Sequence, residues 1–137
     1  MLDILLVSGL SVTFLGNVFG ATVTAATPLI LAALGEIVAE RGGMLNLGVE
    51  GIMLMSALGS FMVALTTGSL VLGFVTSVLV GVVAALLHAF LSVSLKADQV
   101  ISGLMITLLG TAVTAFLGNE WANRSVDGLQ PTYLPIV

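Results

Sequence analysis

The sequence consists of long apolar runs separated by short polar stretches. About 20 consecutive apolar residues form a helix long enough to cross the hydrocarbon core of a bilayer. The polar stretches lie near residues 36–50, 66–69 and 96–99, and a polar tail occupies residues 119–137. Between them lie apolar runs of suitable length at residues 49–65, 70–95 and 99–117. We predict that each of these runs is a membrane-spanning helix.

The first apolar run, residues 2–34, is long for one span and short for two. Gly16 and Gly20 are weak helical positions in it, because glycine lowers helix stability by about 1 kcal/mol relative to alanine. With Asn17 they mark the predicted break, which gives one helix at residues 2–15 and a second at residues 17–39.

A second division of the same run is also possible. It has one full span at residues 4–25, followed by a half-length helix with Thr27 as N-cap and Pro28 as first residue. Either division predicts an all-α membrane protein. It would be a polytopic helical bundle of four or five membrane segments, with a glycine-rich break near residues 41–48. We assign residues 1–137 to a single transmembrane domain.

Composition supports a lipid environment. Hydrophobic residues make up 58% of the chain and charged residues 7%, and the mean hydropathy is +1.24. Soluble domains contain about 25% charged residues. With only three basic residues the chain lacks the charge for binding nucleic acid. It has no cysteine and one histidine, so we expect neither a metal site nor a bound cofactor.

The three basic residues also indicate an orientation. Successive spans place Arg41 and Lys96 on one side of the membrane and Arg124 on the other. Loops on the cytoplasmic side carry an excess of lysine and arginine. The side with two basic residues is therefore predicted to be cytoplasmic.

The first polar stretch is the most unusual part of the chain, because charged side chains are costly inside a bilayer. Glu36 and Glu40 are four residues apart and share a helix face. Glu36 lies deeper, so it is either a group that lines or gates a watery path or an interfacial carboxylate at a helix end. Asn46 and Glu50 have the same spacing in a glycine-rich segment. Unwound backbone at membrane depth is tolerated where it lines a cavity or is buried in protein.

Two sets of small residues recur every fourth position and predict helix-packing faces. Such faces allow close approach of helices in lipid. The first set is Ser77, Gly81 and Ala85, and the second is Gly110, Thr114 and Gly118. His88 follows the first set on the same face. The pattern favours a hydrogen-bonded interhelical histidine over a polar group lining a pathway.

Two blocks of sequence resemble a known family. The first joins TPLILAALGE at residues 27–36 to ERGGMLNLGVEGIMLM at residues 40–55, and the second is LHAFLSVSLKADQVISGL at residues 87–104. Their order and spacing are similar to those of bacterial ABC-transporter inner-membrane permeases of the ribose and branched-chain-amino-acid type. The closest group is that for nucleosides and simple sugars. The motif blocks include Asn46 and Glu50 in the first, and Gln99 and Ser102 in the second.

The resemblance implies a multi-pass subunit of an ATP-driven importer in the bacterial plasma (inner) membrane, working by alternating access. It implies a second permease subunit, cytoplasmic ATP-binding subunits and an extracytoplasmic solute-binding protein as partners. ATP hydrolysis would then belong to a partner, and this chain would not be an enzyme. The substrate-pathway candidates are Glu36, Asn46, Glu50, Gln99 and Ser102.

The sequence also departs from the family's pattern. Permeases of this type are longer and carry a cytoplasmic coupling segment after a later span. The chain is therefore expected to be the N-terminal part of a permease. The alternative is a truncated or regulatory small membrane protein that acts as a scaffold for a partner and does not transport.

Overall fold

The computed structural model describes residues 2–124, and describes side chains from Val12 onward. Every regular element in this range is helical. The helices are α1 (Leu2–Arg41), α2 (Val49–Thr67), α3 (Leu70–Ala89) and α4 (Gln99–Gly118), and a π-helical turn (Phe90–Ser94) extends α3. Turns follow α4 up to Asn123, and the rest of the predicted polar tail lies outside the described residues.

Four described helices are long and apolar enough to cross a membrane. The spans are residues 12–41, 49–67, 70–94 and 99–118. A 20-residue helix is about 30 Å long, which matches the hydrocarbon thickness of a bilayer. The prediction of an all-α polytopic membrane protein is therefore confirmed. The glycine-rich break near residues 41–48 is also present, since α1 ends at Arg41 and α2 begins at Val49.

The predicted division of the first run into helices 2–15 and 17–39 is wrong, because α1 is continuous. The alternative with Thr27 as N-cap is wrong too, since the Thr27 hydroxyl donates to the carbonyl of Val23 inside the helix, at 2.8 Å. Thr22 and Thr24 bond back to earlier carbonyls in the same way. In an apolar medium a break would leave backbone groups without partners, a larger cost than the roughly 1 kcal/mol of each glycine.

The described residues fall into two compact units, one up to Gly42 and the other from Gly43 onward. The first unit consists of α1. In the second, α2 is central and packs against both α3 and α4, which contact each other much less. Few hydrophobic side chains are buried in the described part of the second unit, namely Ala64, Ala84 and Ile106. Large apolar side chains point outward instead, as expected where lipid is the solvent.

Helices α2 and α4 cross with their backbones in direct contact. A Cβ atom added at Gly110 would lie 2.5 Å from the carbonyl oxygen of Gly51 and 2.6 Å from its Cα. One added at Gly103 would lie 2.8 Å from the amide nitrogen of Leu47. Because real side chains need more room than this, only glycine fits at these positions. The crossing therefore depends on glycines from both sides.

The α2–α3 contact uses part of the predicted small face. Gly81 lies against α2, where an added Cβ would be 3.2 Å from the Ser56 hydroxyl, and Ser77 is half-buried. Ala85 is exposed, and Ala84 is buried in its place. A helix repeats every 3.6 residues, so positions spaced by four drift around it. On α3 the contact follows the helix from Ser77 through Gly81 to Ala84.

The second predicted set of small residues lies on α4, and one of its three members is fully buried. Gly110 is buried at the crossing, and Thr114 and Gly118 are half-buried. The Thr114 hydroxyl oxygen is buried without a hydrogen-bond partner among the described residues. Gly118 has more space, since a Cβ there would be 3.7 Å from the Leu58 Cδ1. The packing roles of Thr114 and Gly118 stay predictions.

Capping residues fix the helix ends in the second unit. Gly68 ends α2 in the left-handed conformation (φ 66°) and donates its N–H to Ala64. Ser69 then accepts from the amide of Leu72 and begins α3. The Asp98 carboxylate accepts from two amides of the first turn of α4, at 2.9 and 3.0 Å. These are the expected uses of glycine at a C-terminus and of serine and aspartate at N-termini.

Candidate functional site

An irregular stretch of six residues, which we call the Gly43–Gly48 segment, leads into α2. Gly43 has φ 81°, a left-handed conformation that favours glycine, and turns the chain into the segment. At the other end Gly48 is buried, and a Cβ there would lie 3.1 Å from the Gly103 carbonyl oxygen. The segment therefore runs against α4 rather than standing free of the helices.

Two side chains of α4 hydrogen-bond to the main chain of this segment. The Gln99 amide oxygen accepts from the Leu45 N–H at 2.6 Å, and its amide nitrogen donates to the Gly43 carbonyl at 3.3 Å. Two turns along the helix, the Thr107 hydroxyl donates to the Leu47 carbonyl at 2.9 Å. Backbone groups outside a helix need such partners in an apolar environment. Gln99 and Thr107 supply them.

Asn46 and Glu50 differ in their surroundings. The Asn46 side-chain oxygen accepts from the Gly48 N–H at 2.9 Å, so this residue shapes the turn before α2. Glu50 lies in the first turn of α2 and is exposed. A carboxylate is favourable near a helix N-terminus, where the helix dipole is positive. The same carboxylate is accessible to a ligand.

A buried histidine connects the segment to α3. His88 and Ser102 are only 3% and 5% exposed, and the His88 Nδ1 lies 3.1 Å from the Ser102 hydroxyl. The His88 Nε2 lies 3.2 Å from the Leu45 carbonyl oxygen. The expectation of a hydrogen-bonded interhelical histidine agrees with this geometry. The ring lies between α3, α4 and the segment.

The structure brings together three of the five pathway candidates. Asn46, Gln99 and Ser102 are all at the Gly43–Gly48 segment or on the α4 turn beside it. Glu50 follows the segment by two residues on α2. Glu36 is half-buried on α1, in the other compact unit. Whether any of these side chains contacts a solute stays a prediction.

Sequence reasoning did not single out Thr107 or Gly103, and it gave His88 no specific partner. Thr107 is one of several hydroxyl residues in its helix, so its residue type alone carried no signal. Gly103 lies seven residues, close to two helical turns, before Gly110, and that spacing puts both on one face. A search at two-turn spacing as well as four-residue spacing would have found this glycine pair.

The fold and the site together define a class of protein. The chain is a polytopic helical membrane protein in which the irregular segment between two candidate spans packs against α4 and is held by side chains of α3 and α4.

Comparison with known proteins identifies the family. Residues 18–136 match the family described as branched-chain amino acid transport system / permease component. The chain belongs to this family of transport permeases and is a multi-pass protein of the plasma membrane. The family is a transport component rather than a class of enzymes. No solved structure matches the chain.

Three curated relatives are similar over most of this chain. The "Putative glucose ABC transporter permease protein TsgC13" of Haloferax volcanii is 51% identical over 125 residues, covering 91% of this chain and 38% of its own length. The nucleoside ABC transporter permease protein NupC of Lactococcus lactis is 39% identical and the guanosine ABC transporter permease protein NupQ of Bacillus subtilis 35%. These alignments cover 66% and 77% of this chain, and 31% and 35% of the relatives. The chain thus spans about a third of the length of the relatives it matches.

Proposed function

We propose that these residues form part of a permease subunit of an ATP-driven ABC importer for nucleosides or simple sugars. The single observation that carries the proposal is the family match over residues 18–136. The solute class follows from the names of the similar relatives, which refer to glucose, nucleosides and guanosine. The scaffold alternative is not favoured, because these relatives are named as permeases.

The permease would act with partners that hydrolyse ATP and deliver the solute. They are a second permease subunit, cytoplasmic ATP-binding subunits and an extracytoplasmic solute-binding protein. Two membrane-spanning helices, α2 and α3, separate Arg41 from Lys96 in the sequence. Both residues therefore lie on the same side of the membrane, the side predicted to be cytoplasmic. The Gly43–Gly48 segment lies at this end of the second unit, beside the start of α4.

Among the candidates of the second unit, Glu50 is best suited to contact the solute. Nucleosides and sugars present several hydroxyl groups, and an ionised carboxylate accepts hydrogen bonds from them. Gln99 and Ser102 already use their polar groups to hold protein atoms. Glu50 is exposed on the first turn of α2, directly after the segment. Its role would be to bind the solute, and Gln99 and Ser102 would position the segment.

The test is solute uptake by the complete transporter in membrane vesicles, with the partner subunits encoded beside the permease gene. Glu50→Gln should raise the KM for uptake about five- to tenfold, because the amide oxygen still accepts a hydrogen bond and a bond to a charged group contributes roughly 1–1.5 kcal/mol more than one to a neutral group. Glu120→Gln is the matched control, since Glu120 is exposed beyond the end of α4. An unchanged KM in Glu50→Gln would remove Glu50 from the pathway. Absence of ATP-dependent uptake of any nucleoside or sugar would reject the function.

A further inference from the structure

The His88 imidazole bonds to two different parts of the second unit. Its Nε2 lies 3.2 Å from the carbonyl oxygen of Leu45, and its Nδ1 lies 3.1 Å from the Ser102 hydroxyl. A carbonyl can only accept a hydrogen bond, so Nε2 must carry a proton. In the neutral ring Nδ1 then accepts from the Ser102 hydroxyl. The two bonds fix both the tautomer and the orientation of the ring.

This ring is a link between elements that otherwise contact each other little. Helix α3 packs mainly on α2, and its contact with α4 is slight. His88 is on α3, Ser102 is on α4, and Leu45 is in the Gly43–Gly48 segment. Gln99 and Thr107, both on α4, also donate hydrogen bonds to carbonyls of the segment. His88 is the side chain of α3 that reaches the segment.

We propose that His88 is a positioning residue that ties the Gly43–Gly48 segment to α3. Through the Leu45 carbonyl, a displacement of α3 relative to α4 is transmitted to the segment and on to the first turn of α2. The solute-contacting role of Glu50 in that turn belongs to the proposed function, so the effect on transport rests on it. The effect on the segment itself does not.

Replacing His88 by glutamine or by asparagine distinguishes a hydrogen-bonding role of the side chain from a role in packing alone. The terminal nitrogen of a glutamine reaches the position of the imidazole Nε2, so His88→Gln keeps a donor for the Leu45 carbonyl. The shorter asparagine places its amide near the position of Nδ1, so His88→Asn keeps the Ser102 link and loses the bond to the segment. Both variants are polar, and neither is larger than histidine. Ser102→Ala is the third variant, because it removes only the group that orients the ring.

Because these 137 residues contain no cysteine, a single introduced cysteine reports the accessibility of the segment. Leu47→Cys places a thiol on a half-exposed position of the segment, and Thr66→Cys places one on an exposed position at the far end of α2. Any cysteine elsewhere in the complete permease is first changed to serine. The rate of labelling by N-ethylmaleimide is then measured in the purified permease with each His88 or Ser102 variant.

We expect His88→Asn to raise the labelling rate at position 47 about fivefold, because the loss of one hydrogen bond raises the population of the displaced segment by about that factor. His88→Gln should stay within about twofold of the parent, Ser102→Ala should fall between the two, and labelling at position 66 should not change. Equal rates in His88→Gln and His88→Asn would overturn the proposal. So would an equal rise at both cysteine positions, because that result indicates general loosening.

Uptake by the complete transporter tests the second half of the proposal. His88→Asn should lower the maximal rate of uptake more than His88→Gln does. If labelling separates the two variants and uptake does not, the link from segment position to transport is wrong. If the parent transports no nucleoside or sugar, the proposed function fails, and the labelling experiment still decides whether His88 positions the segment.

Discussion

The α2–α4 crossing gives a sharp prediction for Gly110. Replacing it by alanine would add a Cβ 2.5 Å from the carbonyl oxygen of Gly51, 2.6 Å from its Cα and 2.7 Å from its carbonyl carbon. Comfortable contacts between carbon atoms are about 3.5–4.0 Å. The two helices would therefore have to separate by about 1 Å at this point. All three neighbouring atoms belong to the backbone, so no side chain can rotate away.

The expected loss of stability in Gly110→Ala follows from this lack of room. Overpacking typically costs about 1–3 kcal/mol, and the upper part of that range applies where backbone has to move. Gly118→Ala is the matched control on the same helix, because its Cβ would meet only the Leu58 Cδ1 at an ordinary 3.7 Å. Both substitutions replace glycine by alanine in α4, so the gain in helix propensity is common to them. The two variants should thus differ in stability by the overpacking cost, roughly 2–3 kcal/mol.

The free energy of unfolding can be measured by titrating the permease in mild detergent with sodium dodecyl sulfate and following helicity by circular dichroism. Gly110→Ala should unfold at a lower mole fraction of the denaturing detergent than the parent, and Gly118→Ala at the same fraction or a higher one. Equal stability of Gly110→Ala and Gly118→Ala would refute the close crossing of α2 and α4.

Two further predictions use matched pairs. Thr107→Val removes the hydrogen bond to the Leu47 carbonyl and should lower the free energy of unfolding by about 1 kcal/mol. Thr114→Val removes a hydroxyl that has no hydrogen-bond partner among residues 2–124 and should be neutral or stabilising. Detergent titration of both variants checks this, and an equal loss in both would contradict it. Asp98→Ala removes the N-cap of α4 and should cost about 0.5–2 kcal/mol, while Asp98→Asn keeps an acceptor and should cost less. The same titration decides, and equal costs in both variants would show that the side-chain acceptor is not what stabilises the start of α4.

The class of fold was predictable from the sequence because lipid imposes simple rules. Polar stretches between apolar runs predicted where most helices end, and the caps at Gly68, Ser69 and Asp98 explain why. The same approach failed at Gly16 and Gly20. Glycine ends a helix when water or a cap can take over the backbone hydrogen bonds, and inside an apolar run neither is at hand. A preference of about 1 kcal/mol was too weak to break α1.

The candidate site was only partly predictable. Asn46 and Gln99 were identified as members of the family's motif blocks, without any indication of what they bind. The partners of Gln99, main-chain atoms of the Gly43–Gly48 segment, lie 54 to 56 residues away from it in the sequence. Such bonds depend on the packing of three elements, and no local pattern of residues records them. The exposure of Glu50 is another consequence of packing.

The α2–α4 crossing and the hydrogen bonds of His88 have different consequences for the movement of the helices. Backbone contact at Gly51 and Gly110 leaves α2 and α4 little room to slide, and close-packed elements resist small displacements. The contact of α3 with α4 is slight, and His88 joins α3 to α4 through one hydrogen bond and to the Gly43–Gly48 segment through another. Hydrogen bonds of this kind contribute only about 1 kcal/mol each, so they can be exchanged during a transport cycle. We therefore expect α2 and α4 to keep their relative positions during transport, and the hydrogen bonds of His88 to be the contacts of the Gly43–Gly48 segment that are exchanged.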